Sequence, residues 1–239
     1  FEVVRGGYVP VIRYRVHVRT VSDLQKLEGS VIEGTTEGGS IYIPPVDIMV
    51  EAAQGDVEIV NGILNAWNLK GSTGDTRATD GVLKLALKKD ANKDGPFHLD
   101  LQMEADLSQV PPVLRRTVKA EDFQEELALT EDIGGRAGGR LVLGERLKDV
   151  KTLVEARTFD LHGRYGRVPY PIQLKGSGFR YEGKTISVKE LEGAVGQSTF
   201  EPLALGVDWG DPSQITVESR SSVQVILDGQ HEAGSWDYG

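Results

Sequence analysis

One short segment has the residue types and spacing of a cation-binding loop. Asp90, Asn92 and Asp94 alternate and Gly95 follows them, which is how a calcium loop presents side-chain oxygens to a hard cation. Such a loop also requires a carboxylate at its twelfth position, and here that position is Leu101. An Asp- and Gly-rich hairpin turn explains the segment equally well. We therefore keep these residues as a weak calcium candidate, favour the turn, and predict no other metal site.

A glycine motif, Leu-x-Gly-x-x-Gly, occurs at residues 69–74, 161–166 and 191–196. Glycine motifs can cradle phosphate, but a phosphate loop connects a strand to a helix and contains Lys followed by Ser or Thr. None of the copies has that setting. We therefore expect these glycines to mark bulges or tight bends of strands.

Other reactive side chains are scattered along the chain. Asp160 and His162 alternate onto one face of a strand, but no serine stands in a Gly-x-Ser-x-Gly elbow. Cysteine is absent, which removes thiolate catalysis and disulfides. The 36 Asp and Glu residues leave a glycosidase-type acid pair open as a third, weaker hypothesis. We expect no enzyme and no cofactor. The histidines lie on separate segments, at His17, His98, His162 and His231.

The elements that must position these residues are mainly strands. Apolar residues alternate with polar ones from Phe97 to Leu107, so one face of this strand is apolar and the other is wet. Such alternation is typical of antiparallel sheets. The same pattern recurs at Leu83, Leu85 and Leu87, at Val168, Tyr170, Ile172 and Leu174, and at Leu203, Leu205, Val207 and Trp209. Hairpin turns are predicted at Asn61-Gly62, Asp80-Gly81, Glu182-Gly183 and Asp228-Gly229.

Two stretches repeat each other in order and divide the chain into units. Residues 34–41 are echoed by 135–141, and 69–76 by 191–198. Short helices are predicted before each unit, over residues 23–27 and over 111–116 with 120–127. The predicted fold is mainly β, an antiparallel sheet of repeated hairpin units with one or two short helices. The proposed boundaries are 1–20 for the end of a preceding unit, 21–107 and 108–228 for two β-repeat units, and 229–239 for a frayed end.

Charge and hydropathy limit the classes of partner. The formal net charge of −9 argues against nucleic acid, which needs clustered Lys and Arg. Four potential cations share one face of a strand: Arg13, Arg15, His17 and Arg19. We favour the interpretation that they protect an edge strand from pairing with another sheet, and a less favoured one is that they contact anionic head groups.

The chain opens at Phe1 and contains no apolar run long enough to span a bilayer, so we expect an excised piece whose signal or anchor lies outside it.

Glycine, proline and apolar residues have a characteristic spacing in five stretches, residues 107–116, 138–144, 168–172, 179–183 and 191–198. Through these stretches the chain resembles the C-terminal region of the longer AsmA-like proteins of Gram-negative envelopes. This resemblance covers most of residues 24–209, and its glycine, proline and apolar spacings specify a fold better than an activity. It implies an N-terminal inner-membrane anchor, a periplasmic body, and a long curved sheet with an apolar concave side, related in shape to chorein-type lipid transfer proteins. It implies no catalytic residues.

The leading functional hypothesis is a non-enzymatic periplasmic domain that binds or guides lipid acyl chains in envelope lipid homeostasis or outer membrane biogenesis. Envelope proteins are possible further partners. A groove suits acyl chains because each buried methylene contributes about 0.8 kcal/mol without a specific pocket. The alternative is a scaffold or carbohydrate-binding β-sandwich, since a closed sandwich has the same alternation. Periodicity gives the groove candidates as Phe97, Leu99, Leu101, Met103, Val168, Tyr170, Ile172 and Leu174.

Overall fold

The computed structural model describes residues 4–16, 30–43, 48–87, 95–146, 149–208 and 214–219. The Asp90, Asn92 and Asp94 segment, the predicted helix over 23–27 and the predicted frayed end lie outside these residues. The strands are β1 (Val4–Val16), β2 (Ser30–Ile43), β3 (Ile48–Val60), β4 (Ile63–Thr73), β5 (Thr76–Ala86), β6 (Pro96–Asp106), β7 (Thr130–Arg146), β8 (Val150–Tyr165), β9 (Val168–Glu182), β10 (Thr185–Val195), β11 (Ser198–Asp208) and β12 (Gln214–Ser219).

All twelve strands form one antiparallel sheet whose order follows the chain from β1 to β12. Each strand pairs only with its sequence neighbours, as a meander of hairpins requires. The structure confirms a mainly β fold made of a curved, open sheet with two short α-helices. The described residues contain no second sheet, so they do not form the sandwich of the alternative hypothesis.

The strand register puts apolar residues from each of the twelve strands on the same face. Residues directly opposite each other in an antiparallel pair point to the same side of the sheet. One such row joins β1 to β6 and another joins β6 to β12, and both consist almost wholly of apolar side chains. We call this side the apolar face and the other the polar face. The rows run through Ile12, Gly34, Val57, Ala66, Leu83 and Leu99, and through Leu101, Leu141, Val154, Tyr181, Ile186, Val207 and Ile215.

Apolar side chains of neighbouring strands crowd certain glycines of the apolar face. A Cβ atom on Gly71 would lie 2.7 Å from Val50 Cγ1, and one on Gly81 would lie 2.5 Å from Leu101 Cδ2. Neighbouring apolar side chains thus lean over bare backbone at these positions. Glycine at such positions leaves room for large side chains of the neighbouring strands.

β-Bulges bend several strands of the sheet. One of them lies where the sequence predicted a hairpin turn, so that prediction was wrong. Asp80 has a φ of 51° and lies inside β5, next to Gly81, where the register with β6 shifts by one residue. The sequence pair Asp-Gly predicted a hairpin at this point. It forms a bulge instead, because a left-handed residue followed by glycine also suits an extra residue within a strand.

The Leu-x-Gly-x-x-Gly motifs all end a strand at the same end of the sheet. Their second glycines, Gly74, Gly166 and Gly196, begin the turns that join β4 to β5, β8 to β9 and β10 to β11. Their first glycines lie under apolar side chains of neighbouring strands, as Gly163 does, where a Cβ would lie 2.5 Å from Ile133 Cδ1. The motifs therefore serve bends and close packing, as the sequence predicted.

The described helices lie between β6 and β7, at the end of the sheet that carries these turns. A short 3-10 helix (Leu107–Gln109) leads into α1 (Val110–Thr117), and α2 (Glu121–Ala128) follows. Their positions agree with the predicted helical segments, with Pro111 and Pro112 in the first turn of α1. We call this the helix end of the sheet. β6 and β7 pair along their whole length, so the sheet continues unbroken between the two predicted units, whose boundaries stay a prediction.

Candidate functional site

The candidate site is the apolar face, and the predicted groove residues lie on it. The structure puts those of β6 on this face and half-buries all of them: Phe97, Leu99, Leu101 and Met103. The predicted groove residues of β9 also lie on this face and are half-buried: Val168, Tyr170, Ile172 and Leu174. Whether they contact a ligand stays a prediction.

β7 and β8 separate the two predicted groups, which places them about 14 Å apart at the usual strand spacing. Apolar side chains of these strands fill the gap, so the two groups belong to one surface. Phe159 of β8 and Phe179 of β9 meet edge to face with ring centroids 6.3 Å apart. Sequence periodicity missed these residues because bulges shift the alternation within β8 and β9. The glycine-rich start of β7 was the one feature of the sequence that could have indicated close packing of side chains on this strand. The additional liners are Leu141, Leu143, Val154, Phe159 and Phe179.

No second layer covers the apolar face within the described residues. The fully buried apolar residues are few and mostly small: Ala53, Ala66, Leu127, Ala156, Val188 and Leu191. A closed core would bury its large side chains. The large apolar side chains of this face are half-buried by their neighbours within one sheet, and no opposing sheet of the described residues covers them.

The apolar face is most exposed on the two edge strands. On β1, Ile12 is 68% exposed, and on β12, Ile215 is 74% exposed. Both residues continue the apolar rows to the margins of the described sheet. The surface is therefore open at both edges as far as the described residues extend.

A depression of 220 Å³ lies at the helix end, around the turn between β8 and β9. It includes two predicted groove residues, Val168 and Tyr170. A second depression adjoins it and includes Ile172. The first is lined by Leu129, Glu131, Arg164, Tyr165, Gly166, Val168, Pro169, Tyr170 and Pro171.

Paired charges occupy the centre of the polar face. Arg140 of β7 binds Asp100 of β6 through two hydrogen bonds, Nε to Oδ1 at 2.8 Å and Nη2 to Oδ2 at 2.5 Å. The hydrogen bond from Arg140 holds the pKa of Asp100 below its usual range. Arg180 of β9 then joins Glu155 to Glu182. These charges satisfy one another across the strands, which is typical of a solvated structural surface.

A separate cluster of hydrogen bonds ties α2 to the turn between β8 and β9. The Glu126 carboxylate accepts hydrogen bonds from the Tyr165 hydroxyl and from the Arg167 guanidinium. Hydrogen bonds from Tyr165 and then Arg167 lower the pKa of Glu126, and the bond to Glu126 raises the pKa of Tyr165. The Gly166 amide also donates to the Leu129 carbonyl, at 2.8 Å. The helices are thereby anchored beside the depression.

Two further chemical candidates, Asp160 and His162, lie on β8. Asp160 forms an ion pair with Lys175 at 3.3 Å, and His162 lies against the backbone of Gly134. Within the described ranges, no three His, Asp or Glu side chains converge as metal ligands would. The weak calcium candidates, His17 and His231 fall outside those ranges.

No described helix is long and apolar enough to cross a membrane. Comparisons of the chain with protein-family models, with curated proteins and with solved structures found no match.

Proposed function

We propose that this protein binds lipid acyl chains along its apolar face, without catalysing a reaction. The observation that carries the proposal is the apolar face itself, which runs through all twelve strands and is covered by no second layer within the described residues. Large apolar surfaces that stay exposed on soluble proteins usually mark binding sites.

The energetics favour a flexible hydrocarbon as the ligand. Each methylene removed from water contributes about 0.8 kcal/mol, and an open face removes roughly half of that because it contacts one side of the chain. A chain of about 16 methylenes then gains roughly 6 kcal/mol, which is comparable with the cost of association. We therefore expect weak, exchangeable binding, which suits transfer better than storage.

The resemblance to AsmA-like proteins suggests the setting of this activity. We propose that the chain belongs to a periplasmic body held at the inner membrane by an anchor outside this sequence. Its partners would then be phospholipids or other envelope lipids and, in addition, envelope proteins. The process served would be envelope lipid transport and outer membrane biogenesis.

Uptake of a fluorescent fatty acid tests the proposal. Ile172→Asp on β9 puts a charge on the apolar face, and we expect it to reduce uptake at least about tenfold because a carboxylate must be desolvated against hydrocarbon. Leu101→Asp on β6 should act in the same way. Gln173→Asp puts the same charge one residue along β9, on the polar face, and should leave uptake unchanged.

Circular dichroism must show that all three variants keep the β-sheet spectrum of the unmodified protein. Equal uptake by Ile172→Asp, Leu101→Asp and Gln173→Asp in folded protein would contradict binding on the apolar face.

A second candidate function, carbohydrate binding on the polar face, is favoured by one residue. Trp67 is 42% exposed and lies opposite Asp56, whose carboxylate accepts hydrogen bonds from Asn68 at 2.8 Å and Thr35 at 2.9 Å. An exposed indole beside ordered polar groups can stack on a sugar ring. Quenching of the tryptophan fluorescence by envelope oligosaccharides, lost in Trp67→Ala, would support this candidate over the lipid hypothesis.

A further inference from the structure

Aromatic side chains are confined to one part of the apolar face. Strands β8, β9 and β11 contribute six of them, and the strand register puts all six on this face. The described residues of β2 to β5 contribute none, because Tyr42 and Trp67 lie on the polar face. We call the region of β8 to β11 the aromatic part and the region of β2 to β5 the aliphatic part. The six residues are Phe159, Tyr165, Tyr170, Phe179, Tyr181 and Phe200.

Packing over glycine does not explain why these residues are aromatic. In the aromatic part, a Cβ atom on Gly176 would lie 2.6 Å from Cζ of Phe159 on the neighbouring strand. In the aliphatic part, a Cβ atom on Gly55 would lie 2.6 Å from Cδ2 of Leu69. A leucine therefore covers bare backbone as well as a phenylalanine does, and the sheet itself does not require rings at these positions.

The rings are accessible on the side that faces away from the sheet. All six aromatic side chains are half-buried, and no second layer of the described residues covers them. The planes of Phe159 and Phe179 meet at 74°, with ring centroids 6.3 Å apart. Such a pair offers both a ring face and a ring edge to a third ring, and these are the arrangements in which aromatic groups attract one another.

The size of the aromatic part suits a small ligand. At the usual strand dimensions it is about 14 Å wide from β8 to β11 and about 23 Å long from Leu174 to Tyr181, which is roughly 300 Å². A stable complex of two copies of a protein buries about 800 Å² on each copy. The aromatic part alone is too small for such an interface, whereas a planar ring occupies only a fraction of it.

The rest of the apolar face has room for the tail of the same ligand. From β7 to β2 this face extends about 24 Å across the strands. The hydrocarbon core of a bilayer is about 30 Å thick and contains two tails end to end, so one tail is about 15 Å long. A tail can therefore lie wholly beside the aromatic part, which leaves the rings to another group of the ligand.

We propose that the aromatic part binds the planar unsaturated ring of an amphiphile whose aliphatic chain lies on the apolar face between β7 and β2. The rings of Phe159 and Phe179 stack with the ring of the ligand, and the aliphatic side chains cover its tail. This inference rests on the proposed function and adds a ring preference to it.

Competition against a bound fluorescent fatty acid tests the preference in the full chain. The competitors are dodecanoic acid with a terminal phenyl ring, dodecanoic acid with a terminal cyclohexyl ring, and hexadecanoic acid. Burial alone favours the cyclohexyl acid over the phenyl acid, because the saturated ring has more apolar surface. We expect the phenyl acid to bind about fivefold more tightly than the cyclohexyl acid, because only the phenyl ring can stack on aromatic side chains.

Substitution of the rings by leucine tests where the preference arises. Phe159→Leu and Phe179→Leu should each weaken binding of the phenyl acid about fivefold more than binding of hexadecanoic acid, because leucine keeps the surface apolar but cannot stack. Phe200→Leu on β11 is a third variant in case one of these does not fold, as judged by circular dichroism. The matched control Phe123→Leu, on α2, should leave the order of the three acids unchanged.

Uptake of the fluorescent fatty acid separates failure of this inference from failure of the proposed function. Equal or tighter binding of the cyclohexyl acid, together with normal uptake, would overturn the ring preference and leave the apolar face as the binding surface. Absence of uptake would contradict the proposed function as well. A dimer in light scattering that excludes the phenyl acid would assign the aromatic part to a second copy of the chain and overturn the inference.

Discussion

At the scale of single residues, the close approach of β7 and β8 depends on a glycine that no other residue can replace. A Cβ atom on Gly139 of β7 would overlap the carbonyl oxygen of Glu155 on β8. The side chain of an alanine there cannot rotate away, so the backbone of one strand must move. The glycine is thus a steric requirement of the close approach of two strands.

We predict that Gly139→Ala destabilises the protein by at least about 2 kcal/mol, measured by urea unfolding. The matched control is Gly206→Ala in β11, where the nearest atom to a new Cβ is 3.8 Å away. That substitution should change stability by less than about 0.5 kcal/mol, or raise it slightly, because alanine restricts the unfolded chain. Equal effects of the two substitutions would contradict the steric role of Gly139.

Single residues also show where sequence reasoning was sufficient and where it failed. The repeated Leu-x-Gly-x-x-Gly motifs predicted bends, and each of them ends a strand. Asp80-Gly81 predicted a hairpin and forms a bulge, because the same left-handed conformation serves both and only the neighbouring strands decide between them.

At the scale of elements, the link between α2 and the turn that joins β8 to β9 has a defined pH dependence. The pKa of Glu126 is lowered in the folded protein by hydrogen bonds from Tyr165 and Arg167. A carboxylate with a lowered pKa stabilises the fold fully above its ordinary pKa of 4.5, and this contribution is lost as the pH falls through the lowered value.

We predict that acidification below pH 4.5 releases α2 from this turn before the sheet unfolds. The measurement is the shift of the Tyr165 ring and α2 amide resonances in an NMR pH titration. Glu126→Gln should remove the transition, whereas Glu125→Gln, a change in the adjacent exposed residue, should retain it. A transition of the same midpoint and amplitude in Glu126→Gln would rule out this link as its cause.

Most elements could be predicted from the sequence because their signals are local. The strict alternation from Phe97 onward identified β6, and the paired prolines identified the start of α1. β7 carries too many glycines for a clear alternation, so its apolar side chains were missed. Their contribution to the candidate site became evident only through pairing with β6 and β8.

At the scale of the whole molecule, stability should vary from strand to strand, since each strand contacts only its sequence neighbours. β8 has 16 residues and pairs on both sides, whereas β12 has 6 residues and pairs with β11 alone among the described strands. In such arrays local opening requires far less energy at an edge than in the centre.

We predict that backbone amides of β8 exchange with deuterium at least about 100-fold more slowly than those of β12. β1, the other edge strand of the described sheet, should resemble β12 and serves as an internal comparison. Hydrogen exchange followed by NMR or mass spectrometry measures this directly. Uniform protection across β1, β8 and β12 would mean that the sheet opens as one cooperative unit.

The alternation of residues alone could not show that the sheet is open, which is the main support for the proposed function. Alternating apolar and polar residues occur equally in a sandwich and in an open sheet. The difference lies in whether another layer covers the apolar face, which depends on contacts between distant parts of the chain. The family resemblance favoured an open sheet, and the structure has one.

The agreement between strand order and chain order has a consequence for biogenesis. Every new strand adds to an edge that the preceding residues have already formed, so no strand must wait for a distant partner. The sheet can therefore assemble progressively as the polypeptide emerges during synthesis or export, at low contact order and with new strands added at one edge only.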